Sequence, residues 1–331
     1  MHVPTELRCL RHARPLTADD EGGSVEVSSA LTCASGCRLP VVKGVPRFVD
    51  SEEYAAAFGL QWKAFKRTML DSHTGTTIFR DRLTRCLGGS LGAVRDRSVL
   101  EVGCGAGPFT EILLSAGARV FAADLSNAVE VNYENNAHSP NYFACQANAL
   151  RLPVRAASFD VVVCLGMIQH TPDPEETIAA LTQYVKPGGL LVLDHYADDY
   201  PYPLPRRLLR PVLIRLPAKL SFKLTLALAR ALLPLHKLSR TKRPGVWRLR
   251  RFLVRHSLLV DHFDDYPQLA EDLVGDWSII DTHDTLTDRY KHRRTRDEIH
   301  RCLASCGLVD LDVSYGGNGV EARARKPSVA D

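Results

Sequence analysis

The residues best suited to chemistry lie at positions 101–107, where a short apolar run ends in Glu101 and three glycines follow at alternate positions. Such a run is typical of a buried strand, and glycines directly after it let the backbone pass close to a ligand. Pro108 then occupies a first-turn position, where proline is tolerated, and an apolar segment continues to Ala116. The pattern predicts a strand, a glycine loop and a helix N-terminus, which together make a nucleotide-type binding site.

The spacing of the glycines excludes the dinucleotide fingerprint. That fingerprint is Gly-x-Gly-x-x-Gly, and its last glycine allows close packing of the helix on the strand. Counted from Gly103 or Gly105, the third glycine would fall on Pro108 or Thr110. The pattern here is Gly-x-Gly-x-Gly behind an acidic residue, which indicates a different nucleotide-like ligand.

Strands and helices that could position this loop alternate along the chain. After the strand at 98–102, further strands are predicted at 119–123, 142–146, 159–165 and 190–194. A helix over 174–185 precedes the last of these strands. Thr295 and Glu298 predict a capping box at the start of a later helix, followed by an antiparallel pair over 308–313 and 320–324. The alternation predicts an α/β fold: a doubly wound, seven-stranded, mostly parallel sheet with its site at the carboxyl ends of the strands.

The order of these segments resembles the class I S-adenosylmethionine-dependent methyltransferases, and within them the small-molecule enzymes related to quinone biosynthesis. The resemblance covers residues 76–195, with a weaker continuation to 326. It depends on the glycine pattern, on Asp124 after the second strand and on Asn148 after the third. It implies a Rossmann-like methyltransferase fold with S-adenosylmethionine as the cofactor.

The resemblance also implies which residues would hold the cofactor. The glycine loop would pass under the methionine part, Glu101 would face its amino end or the loop, and Asp124 would accept the ribose hydroxyls. Asn148 would lie against the adenine, although relatives commonly have Asp there and an ordinary loop cap is the alternative role. The predicted cofactor-binding residues are Glu101, Gly103, Cys104, Gly105, Gly107, Asp124, Leu125, Asn148, Ala149 and Leu165.

Two histidines that follow strands are the candidate catalytic residues. His170 follows the fourth strand and His195 follows the fifth, so both are expected at the edge of the sheet that binds the cofactor. An oxygen acceptor needs a base or a pre-ionised phenol. Relatives often carry two histidines where this chain has Gln169 and His170, and capping of the turn at 172–174 is the alternative role for His170.

Four potential metal ligands, Cys9, His12, Cys33 and Cys37, lie near the start of the chain. Two close pairs separated by about 20 residues are typical of a zinc ribbon, in which each pair lies at the tip of a hairpin. Residues 1–50 resemble the ribbon-like leader of some methyltransferases, and a structural zinc is predicted there, with a metal-free ribbon as the alternative. The odd total of nine cysteines favours reduced thiols and a cytoplasmic location.

Residues 200–260 contain 15 Lys and Arg and neither Asp nor Glu, whereas the remaining chain has 27 basic and 38 acidic residues. Leucine-rich stretches broken by prolines predict a basic, amphipathic helical insert after the fifth strand. Three interpretations remain open. The insert could cap the acceptor pocket, contact an anionic bilayer peripherally, or bind an acidic partner such as a phosphorylated lipid-like substrate or RNA.

These patterns predict four parts: a leader at 1–50, an aromatic linker or lid at 51–75, a methyltransferase core at 76–199 and 261–326, and the insert at 200–260. The predicted activity is methylation of an oxygen or carbon atom of a small, apolar metabolite by in-line displacement. The alternatives are an RNA methyltransferase and a non-catalytic adaptor that binds the cofactor. Nucleic acid is disfavoured because leucine-rich helices with few aromatics stack poorly on bases.

Overall fold

The computed structural model describes residues 3–19, 27–240 and 245–328. Positions 1–2 and 20–26 of the predicted leader, and 241–244 of the predicted insert, lie outside the described residues. The chain divides into two compact units. The core unit comprises residues 1–53, 78–200 and 290–331, and the helical unit comprises residues 54–77 and 201–289.

The leader folds as a small antiparallel sheet within the core unit. Its strands, in the order β1-β2-β3-β4, are β1 Leu16–Asp19, β2 Val27–Cys33, β3 Arg38–Val42 and β4 Val45–Pro46. The turn between β2 and β3 is closed by Cys33 N–H donating to Cys37 O at 3.0 Å. Leu7 and Leu31 are buried in the same apolar cluster as Leu100, so the leader and the sequence around the glycine loop share one core.

The second sheet of the core unit has the topology that the sequence predicts. Its strands are β5 Ser98–Val102, β6 Arg119–Asp124, β7 Tyr142–Gln146, β8 Phe159–Cys164, β9 Val185–His195, β10 Val309–Gly316 and β11 Gly319–Arg325. Their order is β10-β11-β9-β8-β5-β6-β7, and only β11 pairs antiparallel with its neighbours. From β5 the chain adds β6 and β7 on one side and then β8 and β9 on the other. In doubly wound folds the binding crevice opens at this switch point.

The helices that the structure describes are, in chain order, α1 Ala56–Ala64, α2 Asp71–Thr74, α3 Ile78–Cys86, α4 Pro108–Ser115, α5 Ala128–Asn136, α6 Pro174–Thr182, α7 Leu204–Leu213, α8 Ala218–Leu238, α9 Val246–His256, α10 Glu271–Thr287 and α11 Arg296–Ser305. The predicted capping box of α11 is confirmed, because Thr295 and Glu298 bond reciprocally. β9 begins five residues earlier than predicted, at Val185, because a bulge before Leu190 carries residues 186–189 within the strand.

The helical unit is larger than the predicted insert. α10 lies in the segment 261–326 that the sequence assigns to the core, yet it belongs to the helical unit with residues 54–77, which include most of the predicted linker at 51–75. Trp277 Nε1 donates to Thr68 O at 2.9 Å, which joins these two distant segments. The boundaries differ because α10 is buried on most of its circumference by partners remote in sequence.

Two prolines expected to break the insert lie inside helices. Pro211 is within α7 and Pro234 is within α8, while Pro217 does separate the two helices. Pro234 is exposed, so water can bind the carbonyl group that loses its helical donor there. In the described part of the chain, no helix is both long enough and apolar enough to cross a membrane.

Candidate functional site

The glycine loop at the end of β5 has a backbone that requires glycine. Gly103 N donates to Ala123 O at 2.8 Å, which ties the loop to the end of β6. The φ of Gly103 is +75°, and a Cβ there would lie 2.5 Å from Met167 Cβ. Gly107 has a φ of +96°, and its Cβ would lie 2.4 Å from Asn136 Nδ2. α4 starts at the next residue, so the unpaired N–H groups of its first turn follow the loop directly.

Glu101 is a buried carboxyl group with only one of its oxygens partnered. Its Oε2 accepts a hydrogen bond from Thr110 Oγ1 at 2.5 Å, while Oε1 has no partner among the described residues. Glu101 is 3% exposed, and this burial raises its pKa to about 8 although the Thr110 hydrogen bond opposes the shift. A buried, unpartnered carboxyl oxygen is suited to a cationic group such as the ammonium of an amino acid.

Asp124 at the end of β6 anchors the glycine loop. Its Oδ2 accepts from Gly105 N at 2.9 Å, and its Oδ1 accepts from the N–H and the hydroxyl of Ser126 at 2.8 and 2.7 Å. Burial raises the pKa of Asp124, and these hydrogen bonds oppose the rise. The sequence does not predict this anchoring role. Of the two carboxylate oxygens, Oδ2 retains one lone pair for a further donor, and contact with the ribose stays a prediction.

Asn148, after β7, closes a turn. Its Oδ1 accepts from Leu150 N at 3.0 Å, and its carbonyl oxygen accepts from Arg151 N at 2.9 Å. This geometry corresponds to the loop-cap alternative, and contact of Asn148 with adenine stays a prediction. The remaining predicted lining residues are all buried: Cys104, Leu125, Ala149 and Leu165. Because β5, β6 and β7 are neighbours, the acidic residues and this turn lie at one edge of the sheet.

Both candidate histidines contact Tyr196. His195 is fully buried, its Nδ1 lies 2.9 Å from Tyr196 O, and its Nε2 has no partner among the described residues. The ring proton is therefore on Nδ1, which donates a hydrogen bond to that carbonyl oxygen, and the lone pair of Nε2 is available. Burial lowers the pKa of His195 to about 4, so the ring is neutral at pH 7. The His170 ring packs edge-on against the Tyr196 ring, with the centroids 5.4 Å apart.

The sequence does not predict a cation–aromatic cluster that follows β9. Tyr196 stacks on Tyr200 with ring centroids 4.0 Å apart, and Lys291 Nζ lies 5.1 and 5.3 Å from the two ring centroids. His292 N donates to Gln169 O at 3.0 Å, and Gln169 Oε1 and His292 Nε2 have no partner among the described residues. The only sequence signal was the position of Tyr196 directly after a strand, since Lys291 is distant in the chain.

The four predicted metal ligands converge in the leader. One potential ligand atom of each of Cys9, His12, Cys33 and Cys37 lies within 4.8 Å of all the others. His12 Nδ1 lies 3.8, 3.6 and 3.4 Å from the three sulfur atoms, in chain order. Tetrahedral zinc, with Zn–S of about 2.3 Å and Zn–N of about 2.0 Å, requires S–N separations of about 3.5 Å. The side chains present therefore fit a zinc ion.

Comparison with known proteins identifies the segment around the glycine loop. Residues 100–193 match the family model described as a methyltransferase domain. The ubiquinone biosynthesis O-methyltransferase of Aromatoleum aromaticum is 35% identical over 97 residues, which cover 28% of this chain and 41% of that protein. The protein of the same name from Saccharophagus degradans is 39% identical over 100 residues, which cover 29% and 42%. The chain thus spans about two-fifths of the length of these relatives.

A solved SAM-dependent methyltransferase from Aquifex aeolicus aligns with 13% identity over 75% of this chain and 89% of that chain, with a TM-score of 0.41. A similarity of that size supports no inference. The family match instead coincides with the elements that build the site, from β5 through the glycine loop and Asp124 to β9. Residues 100–193 therefore match a methyltransferase domain in sequence, and the relatives that the chain matches in part are O-methyltransferases.

Proposed function

We propose that this protein transfers a methyl group from S-adenosylmethionine to an oxygen or carbon atom of a small, apolar acceptor. The observation that carries the proposal is the unpartnered Glu101 Oε1 beside a glycine loop that leaves no room for Cβ atoms. The names of the relatives, both O-methyltransferases of ubiquinone biosynthesis, favour an oxygen atom and a small molecule.

When bound, S-adenosylmethionine would supply an activated methyl group on a positively charged sulfur. The task of the chain is then to hold the donor, align the acceptor and exclude water. Glu101 would pair with the methionine ammonium, and the N-terminus of α4 would receive the carboxylate. Asp124 would accept from the ribose hydroxyls through Oδ2, the oxygen with a lone pair that Gly105 does not use.

The histidines indicate what kind of hydroxyl group the site could methylate. His195 Nε2 offers a lone pair at neutral pH, because its proton is fixed on Nδ1. A base whose pKa burial has lowered to about 4 withdraws a proton poorly from an aliphatic alcohol. The proposal therefore favours a phenol or an enol, which is more acidic and needs only a weak base.

The proposed acceptor class also agrees with the buried rings of this region. Tyr196 and Tyr200 form a stacked pair beside the two candidate histidines, and such a pair can pack against a planar, apolar molecule. Lys291, which lies over both rings, would favour an acceptor in its anionic, phenolate form.

The leader is proposed to hold one structural zinc ion through Cys9, His12, Cys33 and Cys37. The ligand separations support this proposal. Zinc would stabilise a segment too small to be stable by burial alone.

Cofactor binding and turnover test the proposed function in two steps. Calorimetry should detect S-adenosylmethionine binding by the full chain. Glu101→Gln should weaken that binding about tenfold, because the carboxylate charge that pairs with the methionine ammonium is lost. Glu176→Gln, at an exposed position of α6, is the matched control and should bind normally.

Transfer of labelled methyl groups should then be measured on a panel of catechols, phenols and aliphatic alcohols of graded apolarity. Methylation of the phenolic members with little transfer to the alcohols is the expected result. A chain that binds no S-adenosylmethionine contradicts the proposal outright. A chain that binds the cofactor but methylates no member of the panel would favour the non-catalytic adaptor.

A further inference from the structure

Exposed apolar side chains are concentrated in one part of the helical unit. Among the described residues, fourteen large hydrophobic side chains are exposed, and eleven of them lie between Leu204 and Val254. The same stretch is the acid-free segment of the chain. Scattered exposed hydrophobics are ordinary, but such a concentration marks an interaction surface.

α8 packs one face on the core of the helical unit and leaves a second apolar face exposed. Its buried positions include Ser221, Thr225 and His236, whereas its leucines at 220, 224, 235 and 238 are exposed. These leucines recur at helical spacing and form one stripe along α8. These four leucines of α8 therefore face solvent although they are apolar, while Leu226, Leu232 and Leu233 pack against the buried cluster around Ala229.

The buried polar groups of α8 are all partnered, which fixes this orientation. Ser221 Oγ donates to Leu213 O at 2.6 Å, and Thr225 Oγ1 lies 2.6 Å from His283 Nδ1. His236 Nδ1 lies 2.5 Å from Asp261 Oδ2, and its Nε2 lies 2.9 Å from the hydroxyl of Ser257. Turning the helix to bury its leucines would break these bonds at a large cost, so the exposed stripe is a stable feature of the unit.

α7 repeats the same arrangement. Its exposed face carries Leu204, Leu208 and Val212, spaced four residues apart, and Leu208 is 67% exposed. Arginines point the other way: Arg206 Nη2 donates to Leu259 O at 2.7 Å, and Arg210 Nε donates to Asp288 Oδ1 at 2.8 Å. These two arginines therefore form bonds inside the helical unit, while the aliphatic side chains of the opposite face are exposed to solvent.

α9 adds aromatic side chains and further cations. Trp247 and Phe252 are 53% and 61% exposed, and the guanidinium carbons of Arg248 and Arg251 each lie 5.6 Å from the centroid of the Trp247 ring. Tryptophan with neighbouring arginines is the composition typical of a membrane interface, where an apolar ring lies at the level of the headgroups.

The cations of α8 border its leucine stripe. Lys219, Lys223 and Lys237 each precede an exposed leucine of the stripe by one residue, and all three are exposed. A lysine at such a border can reach headgroup phosphates while its aliphatic stem lies along the apolar surface. The exposed cations that border the stripe also disfavour contact with a second copy of the same surface, because like charges would face each other.

We propose that the exposed faces of α7, α8 and α9 form a peripheral binding surface for a bilayer of anionic phospholipids. The leucines, Trp247 and Phe252 enter the boundary between headgroups and acyl chains, and the bordering lysines and arginines contact phosphate groups. RNA suits this surface less well because nine of its eleven exposed large hydrophobic side chains are aliphatic and cannot stack on bases. The inference is independent of the proposed methyl transfer.

Vesicle sedimentation of the full chain tests this surface. Vesicles of phosphatidylcholine with 30% phosphatidylglycerol should bind the protein at least tenfold more strongly than phosphatidylcholine alone, and 0.5 M salt should weaken the binding strongly. Leu208→Glu with Leu224→Glu should reduce binding at least tenfold. The matched control is Val309→Glu, which places the same charge at an exposed apolar position of the core unit and should bind as the unmodified protein does.

Tryptophan fluorescence supplies a second measurement that misfolding cannot imitate. Anionic vesicles should shift the emission of Trp247 to shorter wavelength, and Trp247→Phe should abolish the shift while leaving Trp277 buried. Retained vesicle binding by the double glutamate variant would overturn the proposal, as would equal loss in Val309→Glu. A lipid-free dimer that the double variant disperses would also overturn it, since a second copy would then be the occupant.

Discussion

Replacing Cys33 by serine should remove the metal from the leader and weaken cofactor binding through the loop after β7. Three hydrogen bonds join the leader segment 6–10 to residues 151–155: Arg8 N to Pro153 O at 2.7 Å, Arg155 N to Glu6 O at 2.9 Å and Arg151 Nη2 to Leu10 O at 2.6 Å. The loop they hold begins at Asn148, which is expected beside the adenine. Segment 6–10 in turn carries the first predicted ligand, Cys9.

The size of the effect follows from these bonds. A net contribution of about 1 kcal/mol for each gives about 3 kcal/mol for the contact between leader and loop. Without its metal the segment at Cys9 is no longer tied to Cys33 and Cys37, and part of that contribution is lost. A loss of about 1.4 kcal/mol in cofactor binding corresponds to a tenfold rise in the Kd for S-adenosylmethionine, and this is the expected result.

The assay combines metal analysis with calorimetry. The unmodified protein should contain one zinc per chain, and Cys33→Ser should contain little or none. The matched control is Cys306→Ser, a partly buried free cysteine outside the cluster, which should keep both its zinc and its cofactor affinity. Loss of zinc from Cys33→Ser with an unchanged Kd would refute the coupling, whereas a metal-free unmodified protein would refute the zinc site itself.

Three further outcomes are expected. Gly103→Ala should abolish measurable cofactor binding in calorimetry, because the new Cβ would lie 2.5 Å from Met167 Cβ at a φ of +75°; near-normal affinity would show that the loop is not the site. Since the pKa of Glu101 is raised to about 8, its carboxyl is largely protonated at pH 7, and pairing with a cation should release that proton. Calorimetry in buffers of different ionisation enthalpy should detect the release, and a Glu101→Gln variant that still releases it would contradict this assignment. Burial lowers the pKa of His262, but hydrogen bonds with Asp265 and Asp281 outweigh burial and raise that pKa to about 9. The contribution of His262 to stability is therefore complete below about pH 6.5 and disappears as the pH rises through 9. In chemical unfolding, His262→Gln should cost about 2 kcal/mol at pH 6 and almost nothing at pH 10, and an equal cost at both pH values would exclude the ion pairs as its cause.

The parts of the site that sequence reasoning predicts are those encoded locally. The glycine loop follows a buried strand within ten residues, and its positive φ angles leave little choice of residue. The capping box at Thr295 and Glu298 likewise involves residues of one turn. The two pairs of predicted metal ligands converge because each pair lies on one short turn, and the ribbon spacing then brings the two turns together.

The parts that it misses depend on partners far along the chain. Asp124 is recognisable as a strand-end acid, but its bond to Gly105 depends on two neighbouring strands placing the loops together. The position of Lys291 over Tyr196 arises only when the segment after α10 returns to β9. No local sequence feature of α10 indicates the unit to which it belongs, because α10 is buried by helices that precede it by many residues.

The sequence by itself determined the kind of sheet, the glycine loop and the acids at the strand ends, because periodicity, glycine spacing and strand order act over short distances. Only the tertiary structure decided which polar atoms of the described residues remain without partners, among them Glu101 Oε1 and the Nε2 atoms of His195 and His292. It also decided the orientation of α8. Hydrogen bonds of Ser221, Thr225 and His236 hold one face of α8 inward and leave four of its leucines exposed, and leucine content alone cannot predict that.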